Sequence, residues 1–147
     1  MHDAPLDPTA AVTSCHLRVR FCDTDLMGIV HHATYLAYFE VGRVEWLRRR
    51  GVTYADWAAH GIHLPVVEAN VRYRAAARFD DELDVETQLV QLRSYSLRFD
   101  YRIERRATLL AEGSTRLACV NAAHSLQRIP GEMHLALASA ESTVHTE

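Results

Sequence analysis

The chain lacks most of the features that would mark it as a membrane, secreted or nucleic-acid-binding protein. No apolar run approaches the roughly 20 residues that cross a bilayer as a helix, so no membrane association is expected. The start, MHDAPLDPTAAVTS, has neither the basic residues nor the apolar core of a secretory signal and reads as an extended leader over 1–14. With 3 cysteines and no CxxC pair, there is no disulfide framework and no paired-thiolate motif. Cys15, Cys22 and Cys119 therefore read as small hydrophobes in a reducing, cytoplasmic setting. A net charge of -3 gives no pull towards nucleic acid. Nucleotide and serine-hydrolase signatures (GxGxxG, a Walker loop, GxSxG) are absent. So is HExxH; the adjacent His31 and His32 diverge, and no metal is expected.

What is present is a core. Hydrophobic residues make up 48% of 147, enough for one domain, here placed at 15–142 with no repeat or linker inside it. LRVRF, Leu17 to Phe21, alternates apolar and basic residues as a half-buried strand does. A loop with Gly28 follows, then a helix over Tyr35 to Arg50, with Thr34 as N-cap and Gly51 as stop. Thr53 to Gly61 predicts a short second helix. Four strands come next: Leu64 to Tyr73, Leu83 to Leu92, Ser96 to Arg105 and Leu109 to Val120, the last with Gly113 as a possible bulge. An amphipathic helix after Pro130 closes the pattern. This order predicts an α+β domain, with a five-stranded antiparallel sheet curved round one long helix. The sheet's edges and outer face would be covered by dimerisation.

At about 100° per residue, Leu36, Ala37, Phe39, Val41, Val44, Trp46 and Leu47 share an arc of roughly 220°. That is far wider than the stripe of a surface helix. Glu40 and Arg43 fall inside the arc. Neither is expected to be buried alone, because an unpaired core charge costs several kcal/mol. They read as a structural ion pair, as charges meeting a partner subunit, or as support for a nearby site.

Asp25 is the sharpest chemical candidate. A carboxylate in a glycine-containing loop before a helix can act as general base or nucleophile. The free N–H groups of the helix start suit a developing oxyanion. Spacing alone also fits Asp23 and Asp25 as turn caps.

At these residues a family becomes visible. FCDTDLMGIVHHATYLAYFEVGRVEWLRRRG resembles the opening of the 4-hydroxybenzoyl-CoA thioesterase family, near its YbgC-type acyl-CoA thioesterase branch. The shared pattern D-x-D-x-x-G-x-V-x-H-x-x-Y, then F-E-x-x-R, falls on Asp23, Asp25, Gly28, Val30, His32, Tyr35, Phe39, Glu40 and Arg43. The resemblance extends over almost the whole chain, including IPGEM after the last strand. It implies the hotdog fold and a homodimer or a homotetramer built as a dimer of dimers, with sites at the subunit interface. It implies hydrolysis of a small or medium acyl thioester, aliphatic or aromatic, carried by coenzyme A or acyl carrier protein. Asp25 would be the catalytic carboxylate, attacking the carbonyl or activating water. His32 would polarise the carbonyl through its backbone N–H and add a polar contact from its ring. Asp23 would shape the loop. Gly28, Ile29, Val30, His31 and Tyr35 would bind substrate, and Arg93, with Arg128 as the other basic candidate, would meet the phosphates of coenzyme A. No cofactor is implied beyond coenzyme A in the substrate.

The chain departs from the family at Leu26 and Met27, where small residues are frequent, at Thr34 in place of a frequent Asn, and at His31 in place of a frequent Tyr. These changes bear on acyl preference. The retained Asp25 separates the chain from the enediyne-pathway branch, which lacks that acid. Two other readings stay open: a hotdog hydratase or dehydratase using Glu40, and a non-catalytic domain that binds acyl carriers.

Overall fold

A computed structural model describes residues 12–138. Strands β1 (Val12–Arg18), β2 (Val66–Tyr73), β3 (Glu82–Leu92), β4 (Ser96–Arg105) and β5 (Thr108–Ala118) form one antiparallel sheet in the order β1-β3-β4-β5-β2. Helix α1 (Thr34–Arg49) touches β1, β2, β3 and β4; α2 (Tyr54–Ala59) and α3 (Gly131–Ala138) are short. The architecture is the α+β hotdog. No described helix is long and apolar enough to cross a membrane.

Strict alternation builds the inner face. Leu83, Val85, Thr87 and Leu89 of β3 and Leu97, Phe99, Tyr101 and Ile103 of β4 are buried, each beside an outward polar neighbour. Phe39 of α1 stacks on Tyr101 with ring centres 4.3 Å apart, and Trp46 meets Phe99 edge-on at 5.4 Å. Full burial of such a side chain contributes roughly 1.5–3 kcal/mol, so these pairs fix the helix on the sheet.

Several element limits differ from expectation. β1 starts at Val12 and ends at Arg18, so residues 12–14, read as leader, are strand, while Phe21 opens a single 3-10 turn at Phe21–Asp23. Residues 1–11 and 139–147 lie outside the described residues. Gly113 is no bulge: it stays in register with Val71 and Tyr101. Its lack of a side chain serves close packing, because a Cβ there would strike the Asn70 carbonyl and the Phe39 ring. The register shifts fall elsewhere, at Leu89/Gln91, Ile103/Glu104 and Val66/Glu68.

The apolar arc of α1 is also narrower than expected. Its buried face is Tyr35, Tyr38, Phe39, Gly42, Arg43, Trp46 and Leu47, whereas Leu36 and Val41 are 40% and 45% exposed. Glu40 and Arg43 part company. Arg43 is buried and its Nε donates to the Tyr54 hydroxyl at 3.4 Å, while the Glu40 side chain, 65% exposed, reaches back to Arg43 at 3.5 Å. One end of the pair is thus solvated, which removes the cost of burying both charges.

β2 forms one edge of the sheet. Only Val71 along it is half-buried, and the other seven residues are exposed.

Candidate active site

The Asp25 loop is a tight reversal. Thr24 bridges Val30, the Asp25 N–H donates to the Ile29 carbonyl at 2.9 Å, and the Gly28 N–H donates to the Asp25 carbonyl at 2.9 Å. Gly28 sits at φ +76, a left-handed angle that a side chain would strain. Asp25 Oδ1 accepts from the Met27 N–H at 2.8 Å, which orients the carboxylate from its own loop. Oδ2 has no hydrogen-bond partner among the described residues, and the side chain is half-buried. One oxygen is held while the other remains open for chemistry.

Asp23 anchors this loop from beneath. It is buried, with Oδ2 accepting from the Tyr38 hydroxyl at 2.9 Å and the Arg20 N–H at 3.0 Å, and Oδ1 accepting from Arg20 Nη2 at 3.0 Å. Burial opposes its charge, but the Arg20 amide and guanidinium and the Tyr38 hydroxyl outweigh that and hold the carboxyl below its ordinary value. Burial and the Asp23 charge push the Tyr38 phenol upward.

The approach to α1 distributes its amides unevenly. Val30 N–H donates to the Ala77 carbonyl and His31 N–H to the Asp23 carbonyl, both at 2.9 Å. Ala33 N–H donates to His31 Nδ1 at 3.1 Å and Thr34 N–H to the His31 carbonyl at 2.9 Å. The N-cap is therefore Ala33, without a side-chain cap, and not Thr34, which is the first helical residue; His31 supports the turn just before it. An accepting Nδ1 assigns the His31 ring proton to Nε2. In this run only the His32 N–H has no acceptor among the described residues. The His32 carbonyl, in turn, accepts from the Tyr73 hydroxyl at 2.7 Å, tying the helix start to the end of β2.

Asp25, Ile29, Val30, His32 and Tyr35 line one open cleft of about 420 Å³. Gly28 and His31 are not among the lining residues; they shape the loop and the helix start. Tyr35 is buried, its hydroxyl accepting from the Ala77 N–H at 3.3 Å and its ring meeting Tyr73 edge-on at 5.2 Å. The sequence reading missed Tyr73 and Arg74, which also line the cleft. Their signal was position: they end the strand that follows the helices.

Arg93 lies elsewhere. Leu92 pairs with Leu97, Leu97 with Leu117 and Leu117 with Val66, which puts the β3–β4 turn at the Val66 end of the sheet. The cleft is at the other end, beside Tyr73. Arg128, whose guanidinium lies 5.4 Å over the Tyr95 ring, shares the Arg93 end. Glu40, the acid that a hydratase would need, is solvent-facing and not a lining residue. Among the described residues no three histidines, cysteines or acids gather as a metal site.

The pattern has relatives. A family model described as "Thioesterase-like superfamily" matches residues 19–137. The acyl-CoA thioester hydrolase YbgC of Escherichia coli is 37% identical over 106 residues, covering 71% of this chain and 79% of that protein. Among solved structures, the hypothetical protein TT1821 from Thermus thermophilus superposes with a TM-score of 0.83 at 41% identity, covering 87% of this chain and 98% of the other. A DHNA-CoA thioesterase from Staphylococcus aureus gives 0.82 at 27% identity, covering 85% and 87%. Since the family model spans nearly the whole described domain, the chain belongs to the thioesterase-like superfamily.

Proposed function

We propose that the chain hydrolyses acyl-CoA thioesters at the Asp25 cleft. The thioester carbonyl oxygen accepts from the His32 N–H, and the carbonyl carbon faces Asp25 Oδ2. In the general-base form, Asp25 takes a proton from water as the new C–O bond forms. The C–S bond then breaks and the proton passes to the departing thiolate. In the nucleophilic form, Oδ2 itself bonds the carbonyl carbon as the C–S bond breaks and coenzyme A leaves as the thiolate; water then cleaves the mixed anhydride to the free acid and Asp25, whose proton passes to the thiolate. The observation that carries the reading is that His32, whose amide has no acceptor among the described residues, lines the same cleft as a half-free carboxylate. A preorganised backbone donor of this kind contributes about 3–4 kcal/mol to the transition state of acyl transfer.

The active form is a homodimer joined along β2. That edge is exposed over nearly its whole length, and the cleft opens beside its Tyr73 end. Antiparallel pairing of two such edges brings the Arg93 end of one copy next to the cleft of the other.

The test is a free-thiol assay over short, long and aromatic acyl-CoAs, run on the parent and on Asp25→Asn. Loss of about 100-fold or more in kcat is expected, the contribution of an essential base or nucleophile. Turnover that survives the substitution places the chemistry elsewhere. A parent silent on every thioester identifies a binding domain instead.

A further inference from the structure

Coenzyme A ends in a diphosphate, a 3′-phosphate and a purine. A chain of net charge -3 attracts this polyanion only where cations are locally unspent. Most arginines at the cleft end of the sheet are spent. Arg74 pairs with Glu112 at 2.9 Å, Arg18 with Glu82 at 2.6 Å, Arg20 with Asp23 at 3.0 Å and Arg105 with Asp81 at 2.7 Å.

We infer that Arg78, with the exposed Phe21–Phe79 ring pair beside it, seats the phosphates and purine of coenzyme A; the inference rests on the thioester-hydrolase reading. Arg78 and Ile29 face each other in an antiparallel bridge, reinforced by the Val30 N–H to Ala77 carbonyl bond at 2.9 Å. Residues directly opposite in such a bridge project to the same side, and Ile29 lines the cleft. The Arg78 stem therefore rises beside Ile29 at the rim, just outside the residues that line the cleft. Its head is exposed and makes no close ion pair among the described residues, although its charge reaches Asp81 and helps to lower that carboxyl. Asp81, the nearby acid, is already engaged by the Arg78 backbone N–H at 2.9 Å and by Arg105. An exposed guanidinium matches phosphate geometry with paired N–H donors.

The next residue carries the second half of the seat. Phe79 and Phe21 meet edge-on at 5.7 Å, yet they are 54% and 78% exposed. Two phenyl rings left in water beside an exposed cation form a stacking platform, the general device by which proteins hold a base without reading its sequence. The thioester would lie at Asp25, the pantetheine arm would cross Ile29, and the nucleotide would rest on Arg78 and the rings.

The test compares one acyl group carried on coenzyme A, on dephospho-coenzyme A and on pantetheine. The parent, Arg78→Ala, Arg78→Lys and Phe79→Ala are measured. The ratio of kcat/KM for the coenzyme A thioester over the pantetheine thioester should fall about five- to tenfold in Arg78→Ala, as expected for an exposed charged contact. The change should lie in KM, return in part with lysine, and shrink as salt rises. The dephospho substrate tells the 3′-phosphate from the diphosphate as the group bound. Phe79→Ala should lower the same ratio. An unchanged ratio in Arg78→Ala overturns the seat while leaving the hydrolase reading intact. If the parent cleaves no thioester, that reading fails, and calorimetry with adenosine 3′,5′-bisphosphate decides the seat. Binding by the parent that weakens in Arg78→Ala supports it; equal binding, or none, overturns it.

Discussion

Tyr38 does not line the cleft, yet its hydroxyl reaches the Asp25 loop through Asp23, which also accepts from His31 through its carbonyl. Tyr38→Phe leaves the ring in place and removes one donor from a buried carboxylate. The cost should be about 1–3 kcal/mol of stability. Because Asp25 and the His32 amide then lose a shared anchor, kcat should fall with KM nearly constant. A lower Tm in the variant with kcat intact would reduce the residue to packing. The pH dependence follows from the sign of the Asp23 shift. Its folded carboxyl lies below the ordinary 3.8, so its stabilisation is fully present above that value and is lost as pH falls through the lower folded one. Acid unfolding of Tyr38→Phe should therefore begin at higher pH than in the parent. Arg50 poses the opposite case. It is buried over Trp46 at 3.6 Å, with Nη1 on Thr13 Oγ1 at 2.9 Å, but Nε and Nη2 have no hydrogen-bond partner among the described residues. Burial, then Arg49, pulls its pKa down to about 10. Arg50→Met keeps the packing and removes the uncompensated charge, so Tm should hold or rise by about 2–4 °C. A clear fall would mean that the guanidinium contributes more than it costs.

Among the elements, β4 was the most legible, its observed limits matching the alternation of SLRFDYRIER because each inward residue meets α1 or its neighbours in the core. The β4–β5 turn was not. Arg106 and Ala107 hold φ of +48 and +65, the left-handed pair of a two-residue hairpin, without the Asn or Gly that announces one. Closure of two long strands overrides the local preference there. Ala107→Gly should relieve it, raising stability by about 0.5–1 kcal/mol in thermal melts, since a left-handed alanine costs more than the extra freedom of glycine. A lower Tm would show that this backbone is not strained. The width of α1's apolar arc misled for a related reason. Periodicity reports which residues are apolar, but Tyr38, Gly42 and Arg43 took buried places through a hydroxyl bond, a close approach to Thr87 and a bond to Tyr54. The loop residues Asp25 to Tyr35 were visible from their motif. Tyr73 and Arg74 were not, because a fold, not a spacing, brings the end of β2 to the helix start.

Two surfaces of the described sheet bear on how copies of the whole molecule associate, its outer face and its β2 rim. On the outer face of the sheet, Glu86, Arg102, Glu112 and Arg72 stand in one cross-strand row of alternating sign. Covering that row with another sheet would strip water from paired charges, which costs several kcal/mol per ion unless every partner is met. The β2 rim instead offers unused backbone donors and acceptors. Sedimentation equilibrium should therefore return a dimer. A monomer overturns the edge contact, and a tetramer overturns the reasoning about the charged face. The bond from the Tyr73 hydroxyl to the His32 carbonyl then acquires a wider meaning. A lone rim strand frays at its tips, and this tip steadies the His32 peptide at the start of α1. Specific activity should accordingly decline when the enzyme is diluted past its self-association constant and recover on concentration, so that the amount of protein would itself throttle turnover per chain.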